Sequence, residues 1–460
     1  MKGAGPAVSA DVYGVNFGTW YDFTQSWVNP SLHAAGVHLV RFPGGSESDG
    51  YHWENGGSLC KANGGYIANH ATFDNFIKDE VEPLHQDVAI TLNYGSNRAC
   101  NAGGEPSEAA AWVAYAKRQN YPVTHWTVGN EVYGSWEYDL HPKKNDASTY
   151  AAAVKTGFYP AVKHANVNAK LGIVVNTPDY AAWNDVVLRD SGPFDFVELH
   201  YYPEYTYGSS SNDSDAFLLG AAIDHFASYL KGLRAQMNAA RVPATTPIYL
   251  GEYNSDAGNM GKQSVSITNG LFLGQMIEVA IEAGVPMATW WEAYGSCYQD
   301  GNDSSSLYGW QNFGTENLWS DDIPEYACPT APKISGGTPF PTARVLALLS
   351  HGVVPGSIAL PTTVSVANVR AYGFSGRSGY TVVAFNNTLS TVAVEVKLSG
   401  ATSSSFDATE TVYGKTQYDL SKNNVWAGPT TTKLGTVGNA VKLDLDPYSV
   451  TVLSFAAPAR

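Results

Sequence analysis

The chain has 460 residues, more than one ordinary domain, so its length predicts two domains. Only 15% of the residues are charged, while Gly, Tyr and Trp are abundant, which is typical of a loop-rich globular enzyme and unlike a disordered or fibrous chain. The formal net charge of -15 disfavours nucleic acid and anionic membranes as partners, and no apolar run is long enough to span a membrane.

The N-terminal residues 1–6 lack the apolar segment of a signal peptide, and we expect a secreted protein, extracellular or periplasmic, whose leader has been removed. None of the four cysteines has the spacing of a metal site, so we interpret them as disulfides, which form in oxidising compartments. From proximity we expect the disulfides Cys60–Cys100 and Cys297–Cys328, one of the connectivities that four cysteines allow. The alternative is a cytosolic protein with four free thiols.

Eight apolar runs follow one another along the chain, separated mostly by helical stretches. The runs are 12–17, 37–45, 88–95, 125–131, 171–175, 194–202, 248–254 and 287–294. The predicted helices are 71–84, 107–119, 150–165, 216–240, 263–283 and 341–349. This alternation predicts a parallel sheet with crossover helices, and eight such units predict an α/β fold, a (β/α)8 TIM barrel, over residues 1–352.

After residue 352 the composition changes, and Val, Thr and Ser dominate. Short alternating runs recur at 365–372, 380–386, 391–398, 408–413, 440–445 and 449–455. They predict an all-β sandwich domain over residues 353–460. This domain either binds carbohydrate or supports the barrel, and the near absence of a linker favours support.

Two of the predicted barrel strands end in a glutamate, Glu131 on the fourth and Glu252 on the seventh. Active sites of this fold lie at the carboxyl ends of the strands, where these two side chains would face each other. Two carboxyl groups about 5 Å apart fit a retaining glycosidase, in which one donates a proton and the other attacks the anomeric carbon. A lone strand-end glutamate would more often form a salt bridge or cap a helix. The residues alone do not say which carboxylate attacks.

Other side chains at the same strand ends are predicted to bind substrate: Arg41, Asn93, Asn130, His200, Tyr202, Trp290 and Trp291. Arg41 could hold a sugar hydroxyl or orient Glu252, and its alternative is a structural ion pair. His200 and Tyr202 share one face of a strand and could support the two glutamates, unless both are satisfied by backbone.

Asn130 precedes Glu131 and could bond the 2-hydroxyl of the sugar. Trp290 and Trp291 alternate faces, so one should point into the barrel mouth as a stacking platform while the other packs outward. The chain has no HExxH or EF-hand spacing, and the Gly-rich segment 41–45 lacks the Lys-Ser/Thr pair of a phosphate loop. We therefore expect no metal and no cofactor.

Three motifs, Gly129-Asn130-Glu131, His200-Tyr201-Tyr202 and Gly251-Glu252-Tyr253-Asn254, resemble the retaining glycoside hydrolases of clan A. The resemblance implies that Glu131 is the acid/base and Glu252 the nucleophile. Segments 126–138 and 200–203 are most similar to family 51 α-L-arabinofuranosidases. The family 79 β-glucuronidases and heparanase-like enzymes and the family 39 enzymes are further relatives by this resemblance.

The resemblance implies a retaining glycoside hydrolase that cleaves plant or microbial polysaccharides or oligosaccharides, with an α-L-arabinofuranoside as the best substrate. A β-glucuronidase or a β-xylosidase is the alternative, and Arg41 and Arg98 are candidates for binding a uronate. A non-catalytic glycan-binding protein is the non-enzymatic alternative. In the enzyme, Glu131 should have a raised pKa that falls once Glu252 is esterified, because a nearby negative charge then disappears.

Overall fold

The computed structural model describes residues 5–61, 66–205, 214–258, 261–295, 297–298, 311–324, 326–377, 379–401 and 403–456. Eight parallel strands close into a barrel in which each strand pairs with its neighbours in chain order. They are β1 (Gly14–Asn16), β2 (Leu39–Phe42), β3 (Asp87–Leu92), β4 (Val123–Val128), β5 (Lys170–Val174), β6 (Phe196–Tyr201), β7 (Ile248–Tyr253) and β8 (Ala288–Trp290). The predicted TIM barrel is confirmed.

Helices surround the barrel and connect successive strands. They are Val28–Ala35, Phe73–Asn75 continued by Phe76–Val81 and Glu82–Leu84, Pro106–Gln119, Ala147–Ala153 continued by Val154–Phe158 and Tyr159–Ala165, Ala181–Asp190, Asp215–Leu219, Ala221–Ala239, Ile267–Glu282 and Pro341–Gly352. The sequence missed Val28–Ala35 and Ala181–Asp190. The single helix predicted at 216–240 is divided at Gly220, whose backbone is not helical.

The C-terminal domain consists of antiparallel strands, as predicted. They are β9 (Ile358–Leu360), β10 (Val369–Gly376), β11 (Gly379–Asn386), β12 (Val392–Lys397), β13 (Phe406–Gly414), β14 (Thr430–Val437), β15 (Ala440–Leu445) and β16 (Ser449–Ala456). A six-stranded sheet has the order β9-β10-β11-β16-β13-β14, and the β12-β15 pair packs on it through an apolar layer. The sequence missed the three-residue β9 and also β14, an edge strand that is mostly exposed and has little apolar alternation.

The barrel and the C-terminal domain share one continuous apolar core. Helix Ile267–Glu282 lies between them and is buried along nearly its whole length, as expected of a helix that is apolar on all sides. A Cβ added at Gly274 would come within 2.8 Å of the Phe385 ring and 2.9 Å of Val345, so glycine permits this close approach. Residues 5–8 also hydrogen-bond to residues 357–359 of the C-terminal domain.

Both expected cysteine pairs are disulfides in the structure, Cys60–Cys100 and Cys297–Cys328. Each closes a loop at the carboxyl-end side of the barrel, so each restrains the surroundings of the strand ends. Within the described part of the chain, we find no helix with the length and apolar character needed to cross a bilayer.

Candidate active site

A cavity of about 1070 Å³ opens at the carboxyl ends of the barrel strands. Most of the predicted site residues line it together: Asn130, Glu131, His200, Tyr202, Glu252 and Trp291. They come from the ends of β4, β6, β7 and β8, so the barrel closure brings together residues that are far apart in sequence.

Glu131 is aimed by an unusual turn after β4. Its φ is +38° and that of Gly129 is +75°, and a Cβ at Gly129 would collide with Val132. The buried carboxylate of Asp49 accepts hydrogen bonds from the backbone N–H groups of Asn130 and Tyr94, each at 3.2 Å. These contacts hold a backbone conformation that a non-glycine residue rarely adopts.

Glu252 is aimed by a bulge in β7. The register of β7 shifts against both β6 and β8 between Leu250 and the residues that follow it. A side chain at Gly251 would collide with the carboxyl group of Glu198, so glycine lets Glu198 pack beneath the strand. A bulge of this kind rotates the side chains beyond it, and here it presents Glu252 to the cavity.

The two glutamates lie close together with separate sets of partners. One oxygen of Glu131, one of Glu252 and a ring nitrogen of His200 all lie within 4.8 Å of one another. Arg41 Nη1 donates to Glu252 Oε1 at 2.8 Å, and the Tyr202 hydroxyl donates to Glu252 Oε2 at 2.9 Å. The spacing matches the roughly 5 Å between the carboxyl groups of retaining glycosidases.

His200 contacts three carboxylates from the interior of the barrel. Its Nδ1 lies 2.9 Å from Glu131 Oε1 and 3.5 Å from Glu252 Oε2, and its Nε2 lies 3.3 Å from Glu198 Oε1. Burial lowers the pKa of His200, but Glu252 and the other two carboxylates raise it more, to about 10. His200 is therefore an imidazolium at neutral pH.

Glu131 departs from the expected raised pKa. Burial raises the pKa of Glu131, but hydrogen bonds from His200 and Trp136 lower it more, so the pKa lies below its usual value. The reason is that the charged His200 holds a proton next to an ionised Glu131. The His200–Glu131 pair thus holds one proton between its two members.

Glu131, His200 and Glu252 have the donor types of a metal site. The oxygens of Glu131 and Glu252 already accept hydrogen bonds from Trp136, Arg41 and Tyr202, and His200 contacts both glutamates. That the site needs no metal stays a prediction.

No protein-family model matches the chain. The chain is 25% identical over 214 residues to a probable alpha-L-arabinofuranosidase C of Aspergillus fumigatus, covering 39% of this chain and 40% of the relative. It is 30% identical over 146 residues to alpha-L-arabinofuranosidase C of Emericella nidulans, covering 26% and 27%. The matched region spans at most about two fifths of the length of these curated relatives.

Solved structures match over nearly the whole chain. A GH51 arabinofuranosidase from Xanthomonas axonopodis pv. citri has a TM-score of 0.73 at 18% identity, covering 99% of this chain and 98% of that one. A 4-O-alpha-L-rhamnosyl-beta-D-glucuronidase from Fusarium oxysporum has a TM-score of 0.66 at 15% identity, with the same coverage. The chain resembles the family 51 α-L-arabinofuranosidases. That predicted resemblance is confirmed, and the fold is the barrel and β-domain of these proteins.

Three residues predicted to bind substrate lie outside the cavity lining. The Asn93 amide donates to the Tyr51 carbonyl at 3.0 Å, in the loop behind the wall. Trp290 packs edge-on against Tyr253, with ring centroids 5.0 Å apart. Arg41 is fully buried beneath the floor of the cavity, where its Nη1 donates a hydrogen bond to Glu252. We therefore assign these three to support of the site in place of the predicted sugar contacts.

Other residues predicted to bind substrate do line the cavity at the strand ends. Trp291 faces the cavity while its neighbour Trp290 packs outward, as their alternation predicts. The amide of Asn130 accepts from Arg41 at 3.0 Å and donates to Glu137 at 3.1 Å, which fixes its orientation. Burial and the charge of Glu252 raise the pKa of Tyr202, so this phenol stays protonated and donates to the carboxylate.

Sequence reasoning missed two carboxyl groups in the wall after β8, the buried Glu292 and the half-buried Glu316. Trp291 Nε1 donates to Glu316 Oε2 at 3.0 Å, and the backbone N–H of Glu292 donates to the Glu316 carbonyl at 3.0 Å. Glu316 lies in a polar loop, where no spacing or periodicity singles it out. Only the folded loop brings it to the cavity.

Proposed function

We propose that this protein is a retaining glycoside hydrolase that cleaves α-L-arabinofuranosides, with Glu252 as nucleophile and Glu131 as acid/base. The observation that carries the proposal is the spacing of at most 4.8 Å between an oxygen of Glu131 and one of Glu252, with His200 between them. The similarity to curated α-L-arabinofuranosidases supports the choice of sugar.

In the first step, Glu252 attacks the anomeric carbon as the bond to the leaving oxygen breaks. Arg41 and Tyr202 each bond one oxygen of Glu252, so the carboxylate is held in a fixed plane as an ionised nucleophile. His200 passes its proton to Glu131, since His200 Nδ1 lies 2.9 Å from Glu131 Oε1, and Glu131 donates that proton to the leaving oxygen. The products of this step are the free alcohol and a glycosyl ester on Glu252.

In the second step, Glu131 takes a proton from water as the water oxygen attacks the anomeric carbon. The ester bond breaks and Glu252 leaves as a carboxylate. While the ester exists, His200 has lost one of its three carboxylate charges, so its pKa is lower. The His200–Glu131 pair then binds the proton of water, and the sugar leaves with its anomeric configuration retained.

The cavity favours a neutral sugar over a uronate. Among the described residues, its lining includes seven acidic side chains and no Lys or Arg: Glu47, Glu131, Asp179, Glu252, Glu292, Glu316 and Asp321. The internal stretches outside the described residues also contain no Lys or Arg. Arg98 does not line the cavity, and its Nη1 lies 2.6 Å from Glu54 Oε2. Arg41 already forms ion pairs with two carboxylates. With no Lys or Arg in the described lining to pair with a sugar carboxylate, the cavity disfavours the β-glucuronidase alternative.

The test is a panel of 4-nitrophenyl glycosides that includes the α-L-arabinofuranoside, the β-D-xyloside and the β-D-glucuronide. We expect the arabinofuranoside to be hydrolysed with the highest kcat/KM and the glucuronide not to be hydrolysed. NMR of the first product formed should reveal the retained anomer. Net inversion, or a preference for the glucuronide, would contradict the proposal.

We also propose that the protein is secreted and that it has two domains, a barrel over 1–352 and a β-sandwich over 353–460. The two disulfides fit an oxidising compartment. The apolar core that continues from the barrel into the sandwich supports a structural role for the second domain.

A further inference from the structure

Four aromatic side chains of the described chain are more than half exposed, and all four line the one cavity that holds the two glutamates. They are Tyr66 (61%), Trp136 (59%), Tyr180 (61%) and Tyr326 (91%), and we call them the aromatic rim. Large aromatic rings are normally covered, and exposed ones that cluster at a single cavity indicate a binding surface.

The aromatic rim is divided between two sides of the barrel mouth. Trp136 and Tyr180 follow β4 and β5, which are neighbours in the barrel. Tyr326 and Tyr66 follow β8 and β2, which flank β1. Because the strands close in chain order, these two groups of loops start from nearly opposite sides of the ring. A ligand that touched both groups would pass over the catalytic glutamates.

The chemistry of the cavity defines the kind of ligand. Flat, rigid aromatic rings offer apolar faces for stacking at a small cost in conformational entropy. The acidic lining without Lys or Arg, within the described residues, excludes a polyanion. A cavity of about 1070 Å³ is at the upper end of the roughly 300–1,000 Å³ typical of small-ligand sites, so it is larger than one sugar ring needs.

We propose that the aromatic rim binds a neutral polysaccharide chain on both sides of the glycosidic bond that is cleaved. The inference rests on the proposed function, which places the scissile bond between Glu131 and Glu252. It adds that the natural substrate is a polymer or long oligosaccharide, and that Tyr180 and Tyr326 contact sugar units on opposite sides of the cleavage point.

The test compares Tyr180→Ala and Tyr326→Ala with the parent on three substrates: the nitrophenyl arabinofuranoside, a series of arabino-oligosaccharides and a neutral arabinan. We expect kcat/KM on the long substrates to fall by roughly three- to tenfold for each variant, mainly through KM. Activity on the nitrophenyl glycoside should stay within about twofold, because that substrate is too short to reach the rim.

Matched controls separate stacking from other causes. Tyr180→Phe and Tyr326→Phe keep the ring and should retain parental activity on the polymer. Leu389→Ala changes a side chain that is equally exposed, at 61%, but lies in the C-terminal domain, and it should have no effect. Trp136 is left out because its indole donates to Glu131 at 3.1 Å.

Polymer binding provides a second readout that does not need turnover. Electrophoresis through gels containing arabinan should retard the parent, and each alanine variant less, while polygalacturonate should not retard it. Loss of polymer activity in only one of the two variants would overturn binding on both sides, and unchanged polymer activity and retardation in both would overturn the rim altogether. A parent that hydrolyses no glycoside but is retarded through both tyrosines would refute only the proposed function.

Discussion

Two clusters of carboxyl groups lie at or beneath the same cavity and differ in their partners. In the first, which we call the paired cluster, Arg41 lies 3.1 Å from Glu198 and 2.8 Å from Glu252, and His200 contacts both carboxylates. The second, the unpaired cluster, consists of Glu292 and Glu316. The hydrogen-bond donors described there are neutral, such as the indole of Trp291.

Glu198 of the paired cluster and Glu292 of the unpaired cluster are both buried, but their pKa shifts have opposite directions. Burial raises the pKa of Glu198, but Arg41 and His200 outweigh it and lower the pKa to about 2. Burial raises the pKa of Glu292 to about 8, and the nearby charge of Glu252 adds to the increase although Tyr21 and Trp20 oppose it. Burial alone therefore does not decide the charge of these groups; a cation within contact distance does.

The largest expected effect is the loss of the nucleophile in the paired cluster. Glu252→Gln keeps the size of the side chain but removes the attacking oxygen anion. We expect kcat to fall by about four to six orders of magnitude, measured as nitrophenol release from the aryl arabinofuranoside. Circular dichroism should show an intact fold. Parental turnover in this variant would refute the assignment of Glu252.

Glu131→Ala should have a smaller and substrate-dependent effect. Substrates with poor leaving groups should lose about 10²–10⁴-fold in kcat, since they need the proton. Aryl glycosides with good leaving groups should still form the glycosyl-enzyme, and azide should restore its breakdown because it needs no general base. If azide gave no rescue and no glycosyl azide, Glu131 would not be the acid/base.

Removal of the shared cation tests the paired cluster itself. Arg41→Met leaves Glu198 and Glu252 buried without their guanidinium, and we expect the free energy of unfolding to fall by roughly 3–5 kcal/mol. Arg189→Met is the matched control, because Arg189 forms an exposed ion pair with Asp190. Urea denaturation should detect little or no change there, because an exposed ion pair is screened by solvent. Equal losses in both variants would contradict the comparison.

The smallest effects are the opposite pH dependences of the two clusters. The pKa of Glu198 lies below its ordinary value, so its stabilisation is present above about pH 4.5 and is lost as the pH falls towards 2. The pKa of Glu292 is raised, so its stabilisation is present below about pH 4.5 and is lost as the pH rises through 8.

Glu198→Gln should therefore be less stable than the parent near neutral pH, with a gap that closes in acid. The free energy of unfolding of Glu292→Gln should increase relative to that of the parent between about pH 5 and 8, by at most about 1.4 kcal/mol per pH unit. Urea denaturation from about pH 2 to pH 8 measures both differences, and the exposed Glu82→Gln serves as control. Curves of the same sign for the two variants would refute the distinction between the clusters.

Local sequence patterns were enough to predict the barrel, the β-domain and the resemblance to the family 51 enzymes. Each of these depends on local patterns. Apolar runs that alternate with helices define the layers, and the motifs around Glu131 and Glu252 are continuous in the chain. The short strand β1 was predicted too long and the exposed β14 was missed, because little apolar pattern marks either strand.

Which side chains reach the cavity, and what charge they have, depends on contacts made in the folded molecule. Asn93 and Trp290 stand at strand ends but turn into the wall, because loops and neighbouring rings provide their contacts. Glu316 comes from a loop that no periodicity marks. Glu198 is charged because Arg41 contacts it, and Glu292 in the unpaired cluster has no such cation among the described residues. Packing between distant segments sets the position of a cation relative to a buried carboxyl group.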